Sequence, residues 1–211
     1  MQQVCIQKHA RHQRRSTVYH NVSEDRRIRL SSDRPLLHMF CLRFNVSGLA
    51  YSNKFLDLAG QFTVYPELMT KLVQYFKKKG KTIYLIPHAY GYNNPEWNND
   101  DMISSREFYN SLEDKTNIVL IDKDLLSPQI KYVISKMTFF IGTRMHANFA
   151  AIFTKVPVFG LAYSIKFAGA FENNGIYNRI AMINNITSAD IPGIIEQIDK
   201  AYKEDVVAKD K

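Results

Sequence analysis

A block of five residues combines the side chains of this sequence that are best suited to binding a small anion. It reads Gly142-Thr143-Arg144-Met145-His146 and lies between a strand-like apolar run and a helical pattern. The start of a helix directs backbone N–H groups and the positive end of the helix dipole at one point. Arg144 can hold a carboxylate or a phosphate through two parallel hydrogen bonds, and His146 can carry a proton near neutral pH. The block therefore predicts a turn that binds an anion and moves a proton.

Other polar residues follow the neighbouring strand patterns. In an open parallel sheet, ligands bind beyond the carboxyl ends of the strands. Those ends supply, besides the block above, these residues: Asn45, Ser47 and Gly48 after the first strand, His88 after the second, and Tyr163, Ser164 and Lys166 after the fifth. No pair of acids, no cysteine nucleophile and no metal-ligand spacing occurs among them. A set of cations, imidazoles, hydroxyls and amides suits a small anion, and we expect no metal site.

Each of these residues also has an ordinary structural interpretation. An Arg-x-His sequence is common in proteins, and His88 could simply end a strand. A single lysine such as Lys166 is typical of a solvated surface, and Tyr163 could be a rim aromatic. The turn at Gly142 is not a Gly-x-Gly-x-x-Gly sequence, and no Walker motif is present. The sequence therefore gives no support to a dinucleotide or nucleoside triphosphate site.

The elements that would position these residues alternate between strands and helices. Strand patterns cover residues 38–45, 81–86, 117–121, 138–141, 156–161 and 179–183, and helical patterns cover residues 66–79, 103–112, 127–136, 145–154, 165–173 and 188–204. We expect Ser127 and Ser188 to cap the helices that they precede. The alternation predicts an α/β fold, namely a Rossmann-like three-layer domain with a mainly parallel sheet of about six strands. A polar loop over residues 88–101 is long for a connection, and long loops are often functional.

Positive charge is concentrated at the amino-terminal end of the chain. The formal net charge is +8, and residues 1–43 hold nine Lys and Arg against three acids. We predict a basic, poorly ordered arm over residues 1–36, the Rossmann-like domain over 37–205, and a frayed tail over 206–211. A basic arm can bind nucleic acid or anionic lipid, but a solvated leader is the favoured interpretation. We therefore expect no nucleic-acid partner.

Cysteine usage and hydropathy indicate the compartment. Cys5 and Cys41 have no partner at metal-ligand spacing, and two cysteines do not indicate a disulfide network. The sequence has no signal-peptide pattern and no apolar run long enough to cross a bilayer. We expect a cytoplasmic location, with at most peripheral contact with the inner face of the cytoplasmic membrane.

Two segments of the chain resemble the polysaccharide pyruvyl transferase family. Residues 134–152 contain Ile-Gly-Thr-Arg-Met-His, and residues 156–167 contain Val-Pro followed by Tyr-Ser-Ile-Lys. The Ile-Gly-x-Arg-x-His block, the Val-Pro pair and the Tyr-x-x-Lys stretch occur in the family's order and spacing. Residues 44–48 and 86–88 are similar to the family's earlier strand-end motifs. The resemblance covers about residues 40–200.

The resemblance implies a reaction and a set of roles. Members transfer the enolpyruvyl unit of phosphoenolpyruvate to a sugar of a bacterial surface or extracellular polysaccharide, usually forming a pyruvate ketal. By resemblance, His146 is the first catalytic candidate and His88 the second. The substrate-binding candidates are Arg144, Lys166, Gly142, Thr143, Tyr163, Ser164, Asn45 and Ser47. Phosphoenolpyruvate would be the donor substrate, no cofactor or metal is required, and the acceptor would be a glycan or a lipid-linked oligosaccharide.

The chain departs from the family pattern in two ways. Thr138 stands where members usually have an acid. Members are also about twice as long, with a fold like that of GT-B glycosyltransferases, and this chain corresponds to the C-terminal half. The chain could be only the donor-binding half of such an enzyme. Two alternatives stay open: a GT-B glycosyltransferase half that binds a nucleotide sugar, with Glu172 on the ribose hydroxyls, and a truncated non-catalytic binding domain.

Removing residues 1–36 tests the predicted boundary. If they form a solvated leader, the thermal unfolding midpoint stays within about 2 °C of the full chain, since even 1 kcal/mol shifts the midpoint of a domain this size by about 2–4 °C. The measurement is thermal unfolding followed by circular dichroism. A large loss of stability would show that the arm belongs to the fold.

Overall fold

The computed structural model describes residues 41–47, 50–51, 60–91 and 100–210. The chain divides into two compact units, Met1–Pro35 and Leu36–Lys211, and all of the described residues belong to the second. The predicted arm, residues 1–36, lies outside the described residues. So do Gly48 and the central part of the long polar loop, residues 92–99.

Parallel strands form the centre of the second unit. They are β1 Cys41–Asn45, β2 Thr82–Leu85, β3 Ile118–Leu120, β4 Phe139–Gly142, β5 Val158–Ala162 and β6 Ile180–Met182. The strand order is β3-β2-β1-β4-β5-β6, and every pairing between neighbours is parallel. The prediction of an α/β domain with parallel strands is confirmed. The chain moves outward from β1 in one direction and outward from β4 in the other, so the order reverses between β1 and β4.

Six helices connect and flank these strands in the described part of the chain. They are α1 Tyr65–Lys78, α2 Asp101–Ser111, α3 Ser127–Ser135, α4 Met145–Phe153, α5 Ile165–Asn173 and α6 Ile191–Asp205. Pro66 occupies the first turn of α1, where its missing N–H costs nothing. The Asp100 carboxylate caps α2 and accepts from the backbone N–H groups of Met102 and Ile103 at 2.7 and 3.0 Å. None of these helices has the length and apolar character that crossing a membrane requires.

Apolar side chains fill both faces of the sheet. Successive strand residues point to opposite faces, so Phe139 and Ile141 pack in one core cluster and Phe140 packs in the other. The first cluster is covered by α1, α2 and α6, and the second by α3, α4 and α5. This three-layer arrangement buries the strands on both faces and leaves their ends to form the functional edge.

Two predicted helix caps are wrong, because the structure places each cap at a different residue from the predicted serine. Leu126, not Ser127, is the cap of α3, and its backbone N–H donates to the Gln129 side chain at 2.8 Å. Asp190, not Ser188, precedes α6, because its carboxylate closes a turn with the backbone N–H of Thr187 at 2.8 Å. After α6, the residues predicted as a frayed tail begin with a buried valine and a short 3-10 helix, Val207–Asp210.

The packing of α5 on β5 depends on a glycine. A Cβ at Gly160 would lie 2.8 Å from Cζ of Phe171, whereas a Cβ at Gly169 on α5 would meet nothing within 4 Å. We expect Gly160→Ala to lower the free energy of unfolding by about 1–3 kcal/mol through overpacking. Gly169→Ala, the matched control, should raise it by up to about 1 kcal/mol through helix propensity. Urea unfolding measures both, and unchanged stability of Gly160→Ala would mean that α5 shifts freely on β5.

Candidate functional site

The candidate site lies where the strand order reverses. The last residues of β1 and β4, Asn45 and Gly142, are paired in register at the carboxyl edge of the sheet. A crevice at such a switch point is the usual ligand site of an open α/β sheet. The side chain of Asn45, a predicted substrate-binding residue, lies outside the described residues. Ser47 and Thr143 follow these two strands, and both are fully buried.

A tyrosine from α1 joins the two strand ends. The hydroxyl of Tyr65 lies 2.8 Å from Oγ1 of Thr143 and accepts from the backbone N–H of Ser47 at 3.2 Å. Burial raises the pKa of Tyr65 well above its usual range, so the phenol stays protonated. Ser47 and Thr143, both predicted to bind substrate, therefore take part in an internal network that joins the ends of β1 and β4.

The turn after β4 is held by an asparagine. Nδ2 of Asn148 donates to the backbone oxygens of Gly142 and Arg144 at 2.9 and 2.8 Å. A Cβ at Gly142 would lie 2.7 Å from that Nδ2 atom and would also collide with Phe140. Gly142, a predicted substrate-binding residue, is buried. Its small size is what allows this tight turn to form.

Arg144 is buried and forms an ion pair with Asp101. Its Nε and Nη2 donate to the same oxygen, Oδ1 of Asp101, at 3.0 and 2.8 Å. Arg144 is 9% exposed and Asp101 is 0% exposed. Burial opposes the charged form of Arg144, but the attraction of Asp101 outweighs it, so the pKa of Arg144 is raised. The guanidinium is therefore permanently charged and fixed in orientation.

Tyr163, on the turn after β5, contacts the same arginine. Tyr163 is among the groups that raise the pKa of Arg144, so its side chain lies near the guanidinium. The tyrosine ring meets Phe62 and Phe167 edge-on, with ring centroids 6.2 and 6.4 Å apart. Nδ2 of Asn184 donates to the backbone oxygen of Tyr163 at 2.7 Å. The turns after β4 and β5 therefore meet at Arg144.

The other predicted residues differ in exposure and in role. His146 and Lys166 are exposed on the first turns of α4 and α5, which follow neighbouring strands. The His146 ring lies edge-on to Phe149, with centroids 6.4 Å apart. His88 is half-buried. The hydroxyl of Ser164 accepts from the backbone N–H of Phe167 at 3.3 Å, which makes Ser164 the cap of α5.

This arrangement can bind an anion that arrives from solvent. A guanidinium in a low-dielectric setting interacts more strongly with an anion than one in water does. The N-termini of α4 and α5 both lie at this edge and add partial positive charge. His146, two residues from Arg144, presents its imidazole to solvent. Among the described residues, no three His, Cys, Asp or Glu side chains are grouped closely enough to hold a metal ion.

The position of Glu172 does not suit a ribose-binding role at this edge. Lys166 marks the start of α5, which follows β5 at the carboxyl edge, whereas Glu172 lies near the other end of the helix. At a rise of about 1.5 Å per residue, Glu172 is about 9 Å further along the helix than Lys166. It is also exposed. The nucleotide-sugar alternative therefore loses the carboxylate on which it rested.

Comparison with known proteins identifies the family. The family model described as polysaccharide pyruvyl transferase matches residues 24–165. The chain belongs to the polysaccharide pyruvyl transferase family. The pyruvyl transferase match includes Thr143, Arg144, His146 and Tyr163 and ends one residue before Lys166. It also begins within the predicted arm, so the family similarity extends upstream of the boundary predicted between residues 36 and 37. Searches of curated proteins and of solved structures gave no match.

Sequence reasoning missed three residues of this candidate site. Asp101 contacts Arg144, Tyr65 contacts Thr143, and Asn148 holds the turn. For each of them, the sequence contains only a weak indication. An Asp-Asp pair ends the long polar loop, an aromatic residue precedes Pro66, and an amide interrupts the apolar run of α4. Such signals become specific only when the strand order is known.

The link between Tyr65 and Thr143 is open to a double-mutant cycle. Tyr65→Phe and Thr143→Val each remove one hydroxyl and should each lower the free energy of unfolding by about 1–3 kcal/mol, since a buried partner loses its hydrogen bond. The double variant should lose less than the sum of the two single variants. Urea unfolding of all four proteins measures the coupling. Strict additivity would mean that the two hydroxyls do not interact.

Proposed function

We propose that this pyruvyl transferase family member transfers the pyruvyl group of phosphoenolpyruvate to a sugar and forms a pyruvate ketal. The observation that carries the proposal is the fixed, charged Arg144 at the switch point, with His146 and Lys166 exposed on the adjacent helix starts. Membership of the family supplies the reaction class. The proposed site thus combines an anchored guanidinium, an exposed ammonium group and an exposed imidazole.

The donor matches the charges of the site. Phosphoenolpyruvate carries a carboxylate and a phosphate, and planar guanidinium groups suit both. Arg144, held in place by its ion pair with Asp101, would contribute the fixed positive charge for one anionic group. Lys166 would supply a second, movable charge to the other anionic group. Two anions on one small molecule explain why one fixed and one flexible cation would be useful.

Ketal formation needs balanced proton transfers. The methylene carbon of phosphoenolpyruvate gains a proton and becomes a methyl group. Two sugar hydroxyls then bond in turn to the neighbouring carbon and lose their protons, while the bond from that carbon to the phosphate oxygen breaks. One hydroxyl proton replaces the one that the methylene group consumed, and the other leaves with inorganic phosphate. No net oxidation occurs, and no cofactor besides the donor is needed for the balance.

His146 is the proposed proton carrier, with His88 second. A group that exchanges protons with both donor and acceptor has to reach them, and His146 is exposed on the first turn of α4. The backbone N–H of His88 donates to Asp101 at 3.3 Å, which gives His88 a part in the internal network. We therefore assign the transfer to His146 and a supporting role to His88.

The proposal extends to the acceptor and the assembly. The acceptor would be a glycan or a lipid-linked oligosaccharide of bacterial surface polysaccharide synthesis. The protein would act in the cytoplasm, with at most peripheral contact with the membrane. The described domain would correspond to the C-terminal half of a GT-B-like fold. A second half would then close the crevice over the donor and contribute to acceptor binding.

Ligand-dependent melting tests the proposed donor. Phosphoenolpyruvate at about 100 times its Kd should stabilise the folded chain by about 2.7 kcal/mol, equivalent to a shift of about 5–10 °C. The shift should vanish in Arg144→Ala and weaken in Lys166→Ala. Arg106→Ala is the matched control, since Arg106 is a surface arginine paired with Asp122 and should leave the shift unchanged. Each variant is compared with its own ligand-free midpoint, because losing Arg144 leaves Asp101 buried without its charged partner.

The same proteins distinguish the alternatives. A panel of nucleotide sugars should give no shift, and mass spectrometry of candidate glycans incubated with phosphoenolpyruvate should detect the added pyruvate ketal. A shift with nucleotide sugars alone would contradict phosphoenolpyruvate as the donor and favour a glycosyltransferase half. Binding of phosphoenolpyruvate without product would reduce the chain to a donor-binding half. If the chain neither binds phosphoenolpyruvate nor forms product, the remaining alternative is a non-catalytic domain.

A further inference from the structure

The outer face of α4 carries a row of three rings. His146, Phe149 and Phe153 lie three and four positions apart, so their side chains project from one face of the helix. His146 is exposed, Phe149 is half-buried, and Phe153 is 83% exposed. The rings of His146 and Phe149 meet edge-on, with centroids 6.4 Å apart. These three residues form what we call the α4 ring stripe.

Packing within the domain does not account for the α4 ring stripe. The inward face of the helix is buried through three alanines and Asn148. Neither Phe149 nor Phe153 belongs to the two core clusters that the described residues form. The helix also contains no Lys, Arg, Asp or Glu, although the outer face of a surface helix is typically charged or polar. An outer face that is both uncharged and aromatic is typical of a surface that binds a partner.

The α4 ring stripe begins at the candidate site and leads away from it. The first turn of α4 lies at the carboxyl edge of the sheet and holds His146, the proposed proton carrier, whereas Phe153 is the last residue of the helix. At about 1.5 Å per residue, these two residues are roughly 10 Å apart along the helix axis. A disaccharide has a similar length. The stripe is therefore continuous with the site at one end and extends beyond the place of a single reacting sugar.

We propose that the α4 ring stripe is an acceptor subsite, which binds the sugar units next to the reacting sugar of the glycan by stacking. The inference rests on the proposed function, which places the reacting sugar at His146. A pyranose ring has a face of C–H groups that packs on an aromatic ring, while its hydroxyls stay in water. An uncharged stripe suits such a neutral partner, whereas nucleic acid or anionic lipid calls for cations. The family description names a polysaccharide, which is a chain of such units.

The size of the α4 ring stripe favours a saccharide over a second protein. Three fully exposed aromatic side chains would offer at most about 750 Å². The stripe offers less than this, because Phe149 is already half-buried. A stable protein interface buries about 800 Å² on each partner and is many residues wide. A row that is one side chain wide matches a single sugar chain. A protein partner on this face is the alternative that the experiment has to exclude.

The experiment measures the binding of oligosaccharides to the full chain by NMR titration without phosphoenolpyruvate. The probes are gluco-, manno- and galacto-configured oligosaccharides of one to three sugar units. We expect at least one trisaccharide to bind more tightly than its monosaccharide. Phe153→Ala should bind that trisaccharide about threefold to tenfold more weakly, in line with the loss of one aromatic contact. It should bind the monosaccharide as the wild type does, because Phe153 lies beyond the reach of one sugar at His146.

Two further variants at the same position separate stacking from general apolar contact. Phe153→Trp keeps an aromatic ring and should keep the affinity of the wild type for the trisaccharide. Phe153→Leu keeps an apolar side chain without a ring and should bind about as weakly as Phe153→Ala. Because Phe153 is 83% exposed, these variants should fold normally, and their melting midpoints check this. Tyr109→Ala is the matched control, since Tyr109 is a half-buried aromatic on α2, which covers the opposite face of the sheet.

The outcomes separate this inference from the proposed function. Length-dependent binding that Phe153→Ala and Phe153→Leu weaken, and that Phe153→Trp and Tyr109→Ala leave unchanged, supports the acceptor subsite. Equal affinity in all Phe153 variants, or no binding of these oligosaccharides by the wild type, overturns it. A wild-type dimer that Phe153→Ala dissociates, seen by light scattering, would show a protein interface and would also overturn it. Because phosphoenolpyruvate is absent from these titrations, failure of the proposed donor is recognised separately, by a missing melting shift.

Discussion

A guanidinium buried at the end of a sheet has to be paired, and Asp101 pairs the one on Arg144. Removing a single partner from a buried ion pair typically costs about 3–5 kcal/mol, because the remaining charge stays in a low-dielectric setting. The pair also joins three elements, since Asp101 begins α2, its Oδ2 atom binds the chain after β2, and Arg144 follows β4. The carboxyl edge of the sheet therefore behaves as one connected polar layer.

The second polar link of this edge runs through Tyr65. It connects the start of α1 to the ends of β1 and β4, which are the two strands that flank the switch point. Apolar packing above and below the sheet supplies most of the stabilisation but has little directional preference. The hydrogen bonds of Asp101, Tyr65 and Asn148 are directional, and they fix how the chain runs at this edge. They fix a turn whose glycine has no room for a side chain.

The edge divides into a fixed interior and an accessible rim. Arg144, Thr143 and Ser47 are buried, whereas His146 and Lys166 are exposed. This division suits the proposed reaction, in which a donor with two anionic groups would be held while protons and a sugar arrive from outside. Pre-organised charge costs little reorganisation when the ligand binds, and mobile groups at the rim can follow the reacting atoms. The division also explains why Arg144 and His146, which are two residues apart in the chain, have different proposed roles.

Local sequence determined much of the scaffold. Apolar periodicity located all six described helices and the strands, and the Arg-x-His block identified the family, because both signals lie within short stretches of chain. Helix starts were less well determined, since Asp190 competed with Ser188 for the same turn. The polar residues at strand ends could be expected to share an edge, because parallel strands of one sheet all end on the same side.

Only the tertiary structure decided which of these residues meet and which remain exposed. Arg144 and Asp101 are 43 residues apart in the chain, and Tyr65 and Thr143 are 78 apart. Their contacts follow from the order of the strands, which local periodicity does not encode. Burial likewise separates Arg144 from His146, because the cap and the first turn of a helix point their side chains in different directions. The sequence determined the chemical groups at this edge, and the fold determined that Arg144 has a carboxylate partner within the protein itself.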